Sequence, residues 1–191
     1  MKKASLILIA GLMLIAASTA VAAEVEDYSK TINVFKDSPV VQKFFNDAYG
    51  YAVFPTVGKG GWVVGGSYGK GQVYRGGKVT GKTSVIEGSI GFQFGGKAFS
   101  QIIFFQNKAA YDKFTSGNFE FDTTAQATVI TAAAEAQGGT TGVTAGATAG
   151  PKTGVQAEAQ YYDGMAVFIH SKGGLMVEVS IGGQKFSFKP I

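Results

Sequence analysis

The chain has 191 residues, 28 of them glycine and none cysteine, with one histidine, one tryptophan and a formal charge of +4. With 16% charged and 46% hydrophobic residues it is unlike a disordered chain, which is rich in charge and poor in apolar side chains, and its length suits one domain with its own core. The lack of cysteine excludes a disulfide scaffold, a thiolate zinc site, an iron–sulfur cluster and a cysteine nucleophile.

The first residues read as an address rather than as structure. Met1-Lys2-Lys3 is a short basic start, Leu6 to Ile15 is apolar, and Val21-Ala22-Ala23 supplies small residues. That order predicts an export signal over residues 1–23, cleaved after Ala23. A membrane span is the alternative, but Ser18 and Thr19 interrupt the apolar run short of the roughly 20 residues a span needs. The expected product is an exported protein of the periplasm, soluble or peripheral on a membrane face. Losing Lys2 and Lys3 takes the charge from +4 to +2.

Residues 24–49 have helical character. Tyr28, Ile32 and Phe35 recur at helical spacing, and Ser38-Pro39 reads as an N-cap with proline at the first helical position. Val40, Val41, Phe44, Phe45 and Ala48 then form one apolar face, and Gly50 stands where a helix stops. Two short helices are expected between Glu26 and Tyr49, packed on a core. The alternative, a helix lying on a membrane, fits poorly with five acidic and three basic residues over Glu24 to Asp47.

From Tyr51 the period becomes two, and residues 50–191 read as one domain. Short β-prone runs cover Trp62-Val63-Val64, Ser67-Tyr68, Gln72-Val73-Tyr74, Ser84-Val85-Ile86, Ser89 to Phe94 and Ser100 to Phe105. Turns are expected at Gly58-Lys59-Gly60, Gly69-Lys70-Gly71, Arg75-Gly76-Gly77 and Gly95-Gly96. Asn107 is placed to cap a helix over Lys108 to Phe114, with Gly117 as its stop. Strands then resume over Thr123 to Thr131, Val155 to Tyr162, Met165 to His170, Leu175 to Ile181 and Lys185 to Phe188. The fold class expected is α+β: a dominant curved antiparallel β-sheet, curling toward a barrel, with a few short helices.

Between Gly138 and Gly154 a glycine falls at every fourth residue. In a strand an even period places all of them on one face, which lets another backbone come close. The competing reading is a flexible Gly/Thr/Ala loop.

Catalytic vocabulary is thin. Gly76 to Thr83 fits the spacing of a phosphate-binding loop, yet that chemistry needs the pattern to open a helix, and Ser84 to Gly91 alternates like a strand. A hairpin turn accounts for it better. His170 ends an apolar strand, and neither a carboxylate nor a nucleophile is spaced to serve it. Glu120 and Asp122 share a strand face but resemble ordinary solvated acids. The expectation is a protein that is not an enzyme, with no catalytic residue, metal or cofactor, binding neither nucleotide nor nucleic acid.

Charge position says more than its total. Ala48 to Tyr111 holds seven basic residues and one acidic, while Glu24 to Asp47 and Asp112 to Ile191 each sum to −2. If the turns gather at one end of the sheet, Lys59, Lys70, Arg75, Lys78 and Lys82 form a basic rim near Trp62, Tyr68 and Tyr74. Cations beside Trp and Tyr suit an anionic membrane surface. Solvated turn lysines that keep the sheet soluble are the equal alternative.

The run Gly50 to Gly61, with Gly65-Gly66, Gly69-Lys70-Gly71, Gly88 to Gly96 and Phe114-Thr115-Ser116-Gly117, resembles the SYLF lipid-binding domain. The likeness extends through the Gly/Ala-rich segment to Tyr162, Gly164 and Gly174-Leu175-Met176, covering Tyr49 to Pro190. It implies binding of acidic phospholipid, of the phosphoinositide type in eukaryotic members, some of which also bind actin. An exported chain would not meet actin. The expected partner is therefore an anionic lipid or membrane surface, held by Lys59, Lys70, Arg75, Lys78 and Lys82 with Trp62 as interfacial anchor. A structural or stress-related envelope protein, gripping a protein partner through its glycine-lined sheet, is the second expectation.

Overall fold

The computed structural model describes residues 25–59, 66–88, 98–122, 125, 127–130, 143–145, 159–172 and 181–191. The export signal, Trp62, the strands read at 62–64 and 89–94, and the glycine stripe apart from 143–145 lie outside the described residues.

Helix α1 spans Ser29–Lys36 and α2 spans Pro39–Asp47. Pro39 opens α2 as its spacing predicts, but the Ser38 side chain makes no capping bond; its carbonyl instead accepts from the Val41 and Gln42 amides, each at 3.0 Å. Gly50 does not close α2. It opens β1, Gly50–Lys59, followed by β2, Gly66–Arg75, and β3, Lys78–Gly88. Next come β4, Phe99–Phe105, and α3, Lys108–Thr115, where Asn107 Oδ1 accepts from the Ala110 amide at 3.0 Å. The chain ends with β5, Phe119–Glu120, β6, Ala127–Ile130, β7, Val143–Ala145, β8, Met165–Ser171, and β9, Gln184–Pro190.

Among the described residues the nine strands join one sheet in the order β5-β9-β3-β2-β1-β4-β8-β6-β7. The architecture is the expected α+β, dominated by this sheet, with two differences. Only β3-β2-β1 is a meander: β4 crosses to the far side of β1, and the carboxy-terminal β9 returns beside β3. The sheet is also mixed, since β6 runs parallel to β8.

Two contacts measure how far the sheet curls. Gln101 on β4 donates to Gln184 on β9 at 2.9 Å, and Phe54 on β1 lies 5.6 Å from Phe186 on β9. In a flat sheet β4 and β9 would be four strand spacings, about 19 Å, apart. The sheet therefore bends into a half-barrel that closes around one face. That concave face carries Phe54, Val85, Ile103, Phe105, Val167 and Phe186, with α3 inserting Phe114 among them. Glu87 and Gln184 sit in the same interior, where Gln184 Nε2 donates to Glu87 at 3.2 Å.

The tight curl explains a segment that reads as a turn but is not one. Gly69-Lys70-Gly71 is the middle of β2, and a Cβ on Gly71 would lie 2.6 Å from both Phe54 Cδ1 and the Val53 carbonyl oxygen. Glycine is needed on the concave side because an aromatic ring lies directly on the backbone. The expected turn at Gly58-Lys59-Gly60 also begins later, since β1 stays in register with β2 through Lys59. The hairpin at Gly76-Gly77 is as expected, with φ of +57° and +76° that suit the mirror-image turn of a two-residue loop.

The convex face has its own apolar layer. Phe35, Val41 and Phe44 of α1 and α2 pack on Val53, Ile102, Phe104 and Phe168. The two helices cover the β1, β4 and β8 part of that face, leaving much of β2, β3 and β9 open.

Candidate functional site

Successive side chains alternate across a sheet, so the ladder register assigns each basic residue a face. On β2, Val73 lies in the concave core and Tyr74 in the convex layer. Lys70, two residues from Gln72, is thus on the convex side. Lys82 pairs with Gln72 and shares that side. Arg75 faces the other way, with its guanidinium 5.5 Å from the Tyr111 ring centroid on α3, and Lys78, its register partner, shares that face. Lys59 pairs with Ser67 at the opposite end of β2 from Arg75, about 26 Å away at ~3.3 Å per residue.

The basic rim expected from the sequence therefore divides. Of the residues assigned to it, Lys70 and Lys82 stand together, Arg75 and Lys78 form a separate pair on the opposite face, Lys59 lies at the far end of the ladder, and Trp62 is outside the described residues. The division follows from Lys70 being mid-strand and from the two faces of the sheet. Tyr74 is no headgroup contact either. It is buried in the convex layer and stacked on Tyr51 at 5.0 Å and 12°.

The convex face of β2, β3 and β9 is built in rows across the strands. Lys70, Ser84 and Ser187 form one row, and Gln72, Lys82 and Lys189 the next. Ser84 and Ser187 share a hydroxyl hydrogen bond at 2.7 Å. Beyond them Tyr68, Ile86 and Lys185 make a third row, with Ile86 49% exposed. Together Lys70, Lys82, Lys189 and the two serines line a cleft of about 280 Å³.

Lys189 was not among the sequence candidates. Its even spacing from Lys185 and Ser187 was a signal for a shared face, but nothing in the sequence says that β9 returns beside β3. In the ladder Lys189 directly opposes Lys82, a like-charged arrangement that costs stability in a sheet. Among the described residues Lys70, Lys82 and Lys189 form no ion pair, whereas Lys108, Lys113 and Lys185 pair with Asp112, Asp163 and Glu120. A cleft with three lysines outside any ion pair and hydroxyls between them is suited to an oxyanion, which accepts hydrogen bonds and relieves the repulsion.

One wall of the cleft comes from the segment ahead of α1. Gln72, 1% exposed, donates from Nε2 to the Glu26 carbonyl at 2.9 Å and accepts from the Tyr74 hydroxyl at 2.7 Å. The Tyr28 hydroxyl donates to Glu26 Oε2 at 3.2 Å. Burial pushes the Tyr28 phenol up to about 12, with the Glu26 charge adding to it. Burial likewise lifts Tyr74 to about 12, helped by Tyr51 and Asp27. Asp27 is held below the usual carboxylate range by the Ser29 amide, which donates to it at 2.9 Å.

The residues weighed for acid–base work are dispersed. His170 pairs in register with Ser100, on the face opposite Val167 and Ile169. Glu120 and Asp122 border a different cleft, also of about 280 Å³, whose floor includes Phe119, Phe121 and Met165.

No family model matches the chain. Beta cell expansion factor A of Aeromonas veronii is 28% identical over 158 residues, an alignment that covers 81% of this chain and 51% of that protein. The chain thus spans about half the length of the curated relative it matches, and the likeness runs through most of the sequence that builds the half-barrel.

Proposed function

We propose that this is a non-enzymatic, SYLF-type lipid-binding protein whose convex β2, β3 and β9 face attaches to anionic phospholipid. The observation that carries the reading is the convergence of Lys70, Lys82 and Lys189, unpaired among the described residues, around the Ser84 and Ser187 hydroxyls. Each lysine near an anionic bilayer adds about 1 kcal/mol of attraction, and the exposed Ile86 in the adjoining row offers an apolar contact at the headgroup level. The similarity to beta cell expansion factor A, a SYLF-domain protein, supports the same reading. Export through the signal at residues 1–23 would bring this face to a periplasmic membrane surface as a peripheral protein. Among the described residues no helix is long and apolar enough to cross a bilayer.

Flotation of the purified protein with phosphatidylcholine vesicles, with and without phosphatidylglycerol, tests the proposal. Binding is expected only to the anionic vesicles and should fall as salt rises through the range in which the Debye length shortens below about 10 Å. The triple variant Lys70→Gln, Lys82→Gln, Lys189→Gln should lose it, while Arg75→Gln with Lys78→Gln should retain most of it. Equal binding to both vesicle types, or a triple variant that binds like the parent, overturns the assignment. Capture of an envelope protein that survives detergent, with no vesicle binding, would favour the protein-binding alternative.

A further inference from the structure

A carboxylate in the wall of a cleft that collects cations calls for its own explanation. Glu26 borders the cleft together with Lys70, Lys82 and Lys189, yet it forms no ion pair with them among the described residues. Glu26 is exposed to solvent but tied to the fold at two points. The buried Gln72 amide fixes its main chain to β2, and the Tyr28 hydroxyl fixes its Oε2. Tyr28 is itself packed in the convex layer, 8% exposed, so the anchor is part of the fold.

A held carboxylate has two effects on an incoming anion. It lowers the net charge of the cleft from three positive to two, which weakens the attraction at every distance shorter than the screening length. It also places a negative oxygen beside the space that a phosphate oxygen would enter. We infer that Glu26 is a built-in counter-charge of the anion site, an internal competitor that attenuates binding and keeps attachment to the surface reversible. This inference rests on the lipid-binding reading of the cleft and assigns a role to a residue that forms no ion pair with the three lysines among the described residues.

The sign of the effect is what separates this role from a structural one. Glu26→Gln keeps the size of the side chain and an oxygen to accept from Tyr28, and removes only the charge. The variant should bind phosphatidylglycerol-containing vesicles about fivefold more tightly than the parent, the factor expected for one charge at a membrane surface, with a steeper loss on adding salt. Glu26→Asp, which retains the charge, should stay near the parent. Asp37→Asn, which removes a charge at the end of α1 away from the cleft, should change affinity less than twofold, because the intervening distance is screened. All four proteins should unfold at similar urea concentrations.

Parent and Glu26→Gln binding equally, or Asp37→Asn tightening as much as Glu26→Gln, overturns the inference while leaving the lipid-binding reading intact. If neither the parent nor Glu26→Gln binds anionic vesicles, both fall together.

Discussion

Replacing Lys189 with glutamate should move folding stability and membrane binding in opposite directions. Lys82 and Lys189 are register partners on β3 and β9, so their Cβ atoms stand about 5 Å apart, and flexible stems let the ammonium groups splay to about 7 Å. Two unit charges at that distance repel by about 0.6 kcal/mol in water, and screening at about 0.1 M salt halves this to ~0.3 kcal/mol. Lys189→Glu turns the repulsion into a similar attraction, so the variant should be more stable by about 0.6 kcal/mol, within the range for cross-strand and exposed ion pairs. At the membrane the same change removes one positive charge and adds a negative one. At about 1 kcal/mol each the loss is ~2 kcal/mol, or about thirtyfold in vesicle partition. Urea unfolding followed by circular dichroism, at low and high salt, gives the first quantity, and co-sedimentation with anionic vesicles gives the second. The stability gain should vanish at high salt. A variant that unfolds at lower urea, or whose partition stays within twofold of the parent, would refute the reasoning that this pair is held in opposition for an anionic ligand.

Two further outcomes test the interior. Gly71→Ala should lose about 1–3 kcal/mol, the usual cost of overpacking, because the new Cβ meets Phe54 and the Val53 carbonyl at 2.6 Å; urea titration would contradict this if the variant gained stability, as alanine does at an unconstrained strand position. Burial raises the Glu87 carboxyl above its ordinary value near 4.5, opposed in part by the hydrogen bond from Gln184. The native state therefore holds a proton that the unfolded chain has released, so Glu87 costs stability as pH rises from about 4.5 through its folded value. Glu87→Gln, which can still accept from Gln184, should gain on the parent between pH 4 and pH 8, and parallel stability profiles over that interval would contradict the assignment.

Local signals in the sequence were enough for elements whose causes are local. Asn107 caps α3 through its own side chain, Pro39 opens α2, and Gly76-Gly77 makes a two-residue hairpin because only glycine takes both positive φ values without strain. The α+β class was legible for the same reason, since the change from helical spacing to alternation lies in the residue order itself. The three-dimensional pairing decided what alternation leaves open. Gly69-Lys70-Gly71 has the composition of a turn, yet it is a strand in which the space a side chain would need is already filled, by Val57 and Val85 at position 69 and by the Phe54 ring at position 71.

The basic candidates divide on the same principle. A lysine's position in the chain fixes its parity along a strand, but its neighbours are set by which strands pair and in which register. Lys70 and Lys82 meet because β2 and β3 form a hairpin, and that much is local. Lys189 joins them from more than a hundred residues away only because β9 returns to pair with β3. The amino-acid sequence by itself determined a basic, glycine-rich β domain with short helices and the resemblance to a lipid-binding family. Tertiary structure alone decided which cations share a face and that Glu26 borders their cleft, because long-range strand pairing depends on burying the whole apolar face at once rather than on any one segment's residues.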